Sequence, residues 1–349
     1  MSDRFSSRPV PLKIFQALSK LHDEIEKGSG KKGLLIPFDA DTGKIIVFSD
    51  QHKGARNGAD DFMICEPNYL AALDYYNEKE FCFISLGDNE ELWENRWPQV
   101  KEKNTASFEK EKKFIARNAF IKTFGNHDLF WDMNPFAPIE LEKVYGQKIK
   151  IYEGVVLKTK VGDRSLSVFL THGHQGDAQS DGNWFSKFFV ANIWAPLQAY
   201  LKINPNTPAY NNVKKSLHNR IMYEWSAKQK DTLLITGHTH QPLFSSLTHL
   251  ERLYRQLLQA QKSNDPVLIE QVKADIKKRE PQFTTVSADY LEMKGGYFNS
   301  GCCCFSDGDI TGIEIEDGYI RLIKWELENG TSRRCVLEEK TLKELLPDL

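Results

Sequence analysis

Six of the nine histidines in this 349-residue chain stand just past short apolar runs, accompanied by carboxylates or an amide. "IIVFSDQH" ends in Asp50 and His52, and "CFISLGDNEE" leads to Asp88 and Glu91. "FIKTFGNHD" carries Asn126 and His127, "LSVFLTHGH" carries His172 and His174, and "TLLITGHTH" carries His238 and His240. Imidazole nitrogens together with carboxylate and amide oxygens, without thiolate, suit divalent Mn, Fe, Zn, Co or Ni. Each motif alone is commonplace, since an Asp after a strand is usually a turn residue or a helix cap. Five such endings in one chain are not, because chance would scatter the histidines.

The runs themselves are short, rich in β-branched and aromatic residues, and bounded by polar clusters, which predicts strands buried on both faces. A further run, "GGYFNSGCC" at 295–303, has the same character. Residues 11–28 show helical apolar spacing that stops at glycine, and helical patterns fill 66–79 and 105–118. Strand alternating with helix predicts an α/β fold, in which parallel strands bring their C-terminal ends to one sheet edge, where sites assemble. On extended backbone, residues i and i+2 project the same way, so Asp50/His52 and His238/His240 would each aim two donors at one spot. The tail "DITGIEIEDGYIRLIKWELENG" alternates and contains Asp317-Gly318, a hairpin signal. The spacing predicts one domain over 1–349 with two helical insertions. The aromatic segment 183–225 reads either as a lid over a site or as helix packed on the core. Segment 247–280 reads as two polar amphipathic helices around "KSNDP" and as a candidate homodimer contact.

A formal net charge of −2 gives no global electrostatic reason to bind nucleic acid. The N-terminus lacks the apolar core of a signal peptide, and no stretch reaches the about 18 apolar residues of a membrane span, so no transmembrane segment and a cytoplasmic location are expected. Of the six cysteines, Cys302, Cys303 and Cys304 are consecutive, a spacing that suits neither a disulfide framework nor a zinc site. Buried, reduced thiols are expected.

In order along the chain, D-x-H, G-D-x-x-[DE], G-N-H-[DE], H-G-H and G-H-x-H resemble the calcineurin-like metallophosphoesterases over positions 48 to 240, and "YFNSGC" is similar to that family's closing strand. The resemblance implies a four-layer αββα sandwich with two divalent metal ions at the strand ends. It implies Asp50, His52 and His240 around one ion, Asn126, His172 and His238 around the other, and the Asp88 carboxylate bridging them. Two dications a few Å apart repel strongly, and a shared carboxylate or hydroxide screens them. The same resemblance implies attack by a bridging hydroxide, with His127 contacting the phosphoryl group or protonating the leaving alkoxide and Glu91 as its acidic partner. His174 is expected to line the pocket. Lys53 and Arg56, just past the first donor pair, are expected phosphate contacts.

"LGDNEELWE" and "GHTHQP" are similar to blocks of the UDP-2,3-diacylglucosamine pyrophosphohydrolases, but His127 stands where those enzymes carry arginine. The expected function is therefore a metal-dependent, for instance manganese-dependent, phosphodiesterase or pyrophosphohydrolase acting on a lipid-linked or nucleotide phosphoester. The alternatives are a phosphomonoesterase or nuclease of the same superfamily, or a non-catalytic protein-binding scaffold. Neutral charge counts against the nuclease, and the complete donor set counts against the scaffold.

Overall fold

The computed structural model describes residues 9–29, 32–58, 60–176, 212–279 and 293–349. Helix α1 (Pro9–Glu26) precedes β1 (Gly33–Pro37) and β2 (Ile45–Phe48). Next come α2 (Glu66–Glu78), β3 (Cys82–Leu86), α3 (Trp97–Lys103), α4 (Thr105–Ala116) and β4 (Phe120–Thr123). The short α5 (Phe130–Met133) and α6 (Ala137–Tyr145) lead to β5 (Ile151–Tyr152), β6 (Gly154–Val161) and β7 (Arg164–Thr171). Helix α7 (Asn212–Ser226), β8 (Thr232–Thr236), α8 (His249–Lys262), α9 (Pro266–Arg279) and β9 (Tyr297–Asn299) follow. The chain then runs through the meander β10 (Ile310–Glu316), β11 (Tyr319–Glu328) and β12 (Thr331–Thr341) to α10 (Leu342–Leu345).

These strands form two sheets. One has seven strands in the order β12-β11-β10-β2-β3-β4-β5, the other five in the order β1-β6-β7-β8-β9. Strands β2 to β5 run parallel, as do β7, β8 and β9. Side chains alternate between faces along a strand, and the packing follows that period. Ile45 and Val47 point into a core shared with Val168, Leu170, Leu233 and Ile235 of the other sheet. Ile46 and Phe48 point outward under α2, against Tyr69, Leu73 and Tyr76. On the far side, Val156, Phe169 and Leu234 pack under α1 and α7 through Leu18, Leu21 and Trp225. Helix, sheet, sheet, helix is the four-layer αββα order. Each fully buried aliphatic side chain in these layers contributes about 1.5–3 kcal/mol.

The hairpin expected at Asp317-Gly318 joins β10 to β11, with both residues at positive φ. The two helices expected in 247–280 are α8 and α9, which share a small apolar contact of Leu250, Leu253, Val272 and Ile276. A Thr248–Glu251 capping box starts α8. Of the aromatic segment 183–225, residues 183–211 lie outside the described residues, and with them the choice between lid and core. Among the described residues no helix is long and apolar enough to cross a membrane.

Candidate metal centre

The donors come from both sheets, not from the single sheet edge that the strand endings suggested. Asp50, Asp88 and Asn126 follow β2, β3 and β4 of the seven-stranded sheet; His172, His238 and His240 follow β7 and β8 of the five-stranded sheet. The expected pairing through extended i, i+2 geometry is also replaced. Strands β2 and β8 stop at Phe48 and Thr236, and Asp50, His52, Asp88, His238 and His240 all have left-handed backbone, with φ between 50° and 69°. Non-glycine residues at positive φ cost about 1–3 kcal/mol each and persist where the surroundings hold them, commonly at functional sites. Hydrogen bonds hold this one. The Asp50 and His52 amides donate to the Gly87 and Asp88 carbonyls at 3.1 and 2.9 Å. The His238 amide donates to the Asp50 carboxylate.

Around these turns the donor atoms converge. Asp88 Oδ2 lies 3.1 Å from His172 Nε2 and 3.8 Å from His52 Nε2. Asp50 Oδ1 lies 3.2 Å from His240 Nε2 and 3.9 Å from His52 Nε2. Asp88, His172 and His238 lie close enough to hold one ion, and so do His52, Asp88 and His127. The far nitrogens are committed: His172 Nδ1 donates to the Leu86 carbonyl at 3.0 Å, and His52 Nδ1 donates to Glu91 Oε2 at 2.9 Å. Each Nε2 therefore presents a lone pair to a carboxylate or to another imidazole, His52 Nε2 and His240 Nε2 being 3.2 Å apart. Acceptors facing one another at this range need a proton or a metal cation between them, and a divalent ion would meet several of them at once. Asn126 Oδ1, buried and with no hydrogen-bond partner among the described residues, adds an acceptor of the same kind. The residues fit a dinuclear divalent centre.

The protonation of the metal-free chain reflects the same demand. Burial opposes charge on His172, but Asp88 and Asp50 overcome it and raise its pKa to about 9. His52 is likewise raised to about 10, against burial, by Glu91 and Asp88. Protons balance the carboxylates where cations otherwise would. His238 is held well below its ordinary value by burial and by His218 and His172, so it stays a neutral donor.

Two glycines make room for this packing. A Cβ on Gly125 would overlap the Asp88 carboxylate, and one on Gly237 would overlap that of Asp50. The backbone itself forms part of the cradle.

His127 sits at the edge of the cluster. Its amide donates to Asp88 Oδ1 at 2.7 Å, and its Nδ1 donates to Glu91 Oε2 at 2.7 Å. Burial resists ionisation of Glu91, yet His127 and His52 hold its carboxyl down to about 2. Glu91 thus accepts from two histidines where one was expected. His174 is buried beside the centre, its ring 5.4 Å from that of His172.

The two expected phosphate contacts lie elsewhere. Lys53 is fully buried and pairs with Glu111 at 2.7 Å and Glu90 at 3.4 Å, in a network that includes Lys122. The Arg56 guanidinium pairs with Glu66 at 2.6 Å and donates to the Lys103 carbonyl. Buried Glu90 and Glu111 claim these cations because an unpaired interior carboxylate is costly.

Other residues at the site escaped the sequence reading. The Trp93 indole stacks on His127, with ring centroids 3.9 Å apart and planes at 22°. His218, on α7, donates to the Gly173 carbonyl at 2.8 Å and meets His238 edge to face. Cys304 Sγ lies 3.7 Å from His240 Nδ1, and Cys304, His52 and His240 form a third group able to hold an ion. All six cysteines are free thiols, but only Cys65, Cys302 and Cys303 are buried as expected; Cys82 and Cys335 are half-buried, and Cys304 is half-buried beside the donors. The tryptophan of "GDNEELW" was a visible signal for Trp93; for Cys304 the three-cysteine run was misleading.

The family model described as calcineurin-like phosphoesterase matches residues 43–242. Among solved structures, the chain is similar to a dimetal phosphatase from Danio rerio at 8% identity, covering 86% of this chain and 99% of that one with a TM-score of 0.39. It is also similar to vacuolar protein sorting 29 from Cryptosporidium parvum, at 11% identity over 86% of this chain and 98% of that one, with a TM-score of 0.34. No curated protein sequence matches this one. The matched span contains every candidate donor from Asp50 to His240, and the chain belongs to the calcineurin-like phosphoesterase family of metal-dependent phosphoester hydrolases.

Proposed function

We propose that the chain hydrolyses phosphodiesters or pyrophosphates, with Asp50, His52 and His240 holding one divalent ion, Asn126, His172 and His238 a second, and Asp88 shared between them. The observation that carries this reading is the single Asp88 oxygen facing His172 of one donor set at 3.1 Å and His52 of the other at 3.8 Å. The bound ions would neutralise the phosphoryl oxygens and activate the attacking water. His127 does the chain's own proton work. With Nδ1 donating to Glu91, its Nε2 is the atom left to protonate the leaving oxygen. Its side chain is 13% exposed, against 0% for His172, which suits a group that meets substrate.

Charge favours the diester class. Lys53 and Arg56 are spent on carboxylates, so neither supplies counter-charge for a monoester dianion. A diester or an internal pyrophosphate linkage brings less charge per phosphorus to the ions. Manganese is one of several ions that this oxygen and imidazole set accepts, and metal analysis of the purified protein identifies it. Asp88→Ala is expected to lose both bound metal and turnover, and the wild type to cleave bis(p-nitrophenyl) phosphate in preference to p-nitrophenyl phosphate. Full metal content and rate in Asp88→Ala would sink the shared-carboxylate reading; preference for the monoester would sink the diesterase reading. Lipid-linked and nucleotide pyrophosphates assayed with the same preparation separate the two substrate classes.

A further inference from the structure

We infer that Trp93 is a positioning residue that fixes the plane of the His127 ring and thereby the direction in which its Nε2 delivers a proton. The inference rests on the reading of His127 as proton donor to the leaving oxygen. The hydrogen bond from Nδ1 to Glu91 anchors one ring atom only. Histidine χ2 is a broad torsion, so one anchored atom leaves the ring free to swing. The swing matters because Nε2 lies across the ring from the anchor, and proton transfer tolerates little misdirection.

Trp93 supplies the missing constraint. Its indole lies nearly parallel to the imidazole at 3.9 Å, while His52 meets the same ring at 4.6 Å and 86°. The indole is itself tied to the anchor, since the Trp93 amide donates to Glu91 Oε1 at 3.2 Å. The Leu92 amide donates to the His127 carbonyl at 3.2 Å, which fastens segment 91–93 to the histidine backbone. One short stretch thus holds His127 by its main chain, its Nδ1 edge and its face. Trp97 and Trp131 give a contrast: both are buried in an apolar cluster with Val100, Phe108 and Leu141, whereas Trp93 is half-exposed and stacks on a histidine of the site.

The test uses methyl aryl phosphodiesters whose leaving groups run from p-nitrophenol through p-chlorophenol to phenol, with kcat/KM plotted against leaving-group pKa. A leaving group that departs readily as an anion needs little help from a proton donor, and a poor one needs much. His127→Ala is expected to steepen the plot, and Trp93→Leu to steepen it toward the same slope. The leucine variant should lose roughly ten-fold or more on the phenyl ester beyond its loss on the p-nitrophenyl ester, part of the full effect of a general acid. Trp93→Phe, which restores a flat ring, is expected to return the slope toward wild type. Metal content is measured for every variant, and the histidine ring protons are followed by NMR in the metal-free protein. The stacked indole should move the His127 resonances upfield in the wild type and not in Trp93→Leu. Equal losses on all esters in Trp93→Leu, with the slope still steepened in His127→Ala, overturn the role of Trp93. An unchanged slope in His127→Ala overturns the proton-donor reading, and this inference falls with it.

Discussion

Glu91 carries more at the residue scale than its place in an acidic run suggests. One oxygen accepts from His52 Nδ1 and from His127 Nδ1, so a candidate metal donor and the candidate proton donor share an anchor. Carboxylates that orient metal-bound histidines are worth about 10–100-fold in metal affinity or activity when removed. Glu91→Gln keeps the shape and removes the charge. It is expected to weaken metal binding by a factor in that range, through His52, and to lower turnover again at saturating metal, through His127. A titration that finds wild-type metal affinity with reduced turnover would show the His52 contact to be idle. Burial, with the Glu91 charge adding to it, raises the neighbouring Glu94 to about 7.

At the element scale, the site depends on strand ends that turn sharply and on glycines that let side chains touch backbone. The β4 ending is the tightest case. Gly125 lies against the Asp88 carboxylate and the His172 ring, and its amide donates to buried Asp128 at 2.6 Å. Burial and the Asp88 and Glu90 charges raise the Asp128 pKa to about 6, the cost of holding a carboxylate there. Gly125→Ala places a methyl in overlap with the Asp88 oxygen and 2.6 Å from the Asp88 backbone nitrogen, so both the carboxylate and the turn behind β3 must move. We expect that variant to lose stability and to bind substoichiometric metal. Circular dichroism with metal analysis checks it; native metal content would show that the loop yields instead.

At the scale of the whole molecule, the centre lies where two sheets meet, so binding cations links the layers. His52 and His172, raised to about 10 and about 9, carry protons at neutral pH in the metal-free chain. Metal donors must present lone pairs, so binding displaces these protons and affinity rises with pH. The sign for stability follows. The charged imidazoles contribute stability to the apo chain below their unfolded pKa of about 6.5, and that contribution is lost as pH rises through about 9 to 10. Bound metal adds stability that grows over the same interval. Calorimetric titrations in two buffers of different ionisation enthalpy should show proton release on metal binding at pH 7, and thermal unfolding should show the metal-induced gain in Tm increasing from pH 6 to pH 8. No proton release would mean that His52 and His172 are neutral in the apo chain.

Much of this was readable in one dimension. The strand runs are visible because a strand buried on both faces has almost no polar residue between its turn signals, and β2, β3 and β8 are such runs. The donors are visible because histidine and carboxylate side chains have few reasons to cluster behind such strands. Which sheet each strand joins was not readable, since pairing β2 beside β10 and β7 beside β8 is settled by packing between residues far apart in the chain. The left-handed turns at Asp50, His52, Asp88, His238 and His240 were equally hidden, because few non-glycine residues adopt that backbone region and residue type alone, even aspartate or histidine, does not say which will. Lys53 and Arg56 were misread for the same kind of reason: Glu111 and Glu66, which hold them, are neighbours only in three dimensions. Sequence alone determined the donor chemistry, because it resides in residue types; tertiary structure alone decided which charges gather at the candidate site and which neutralise the interior.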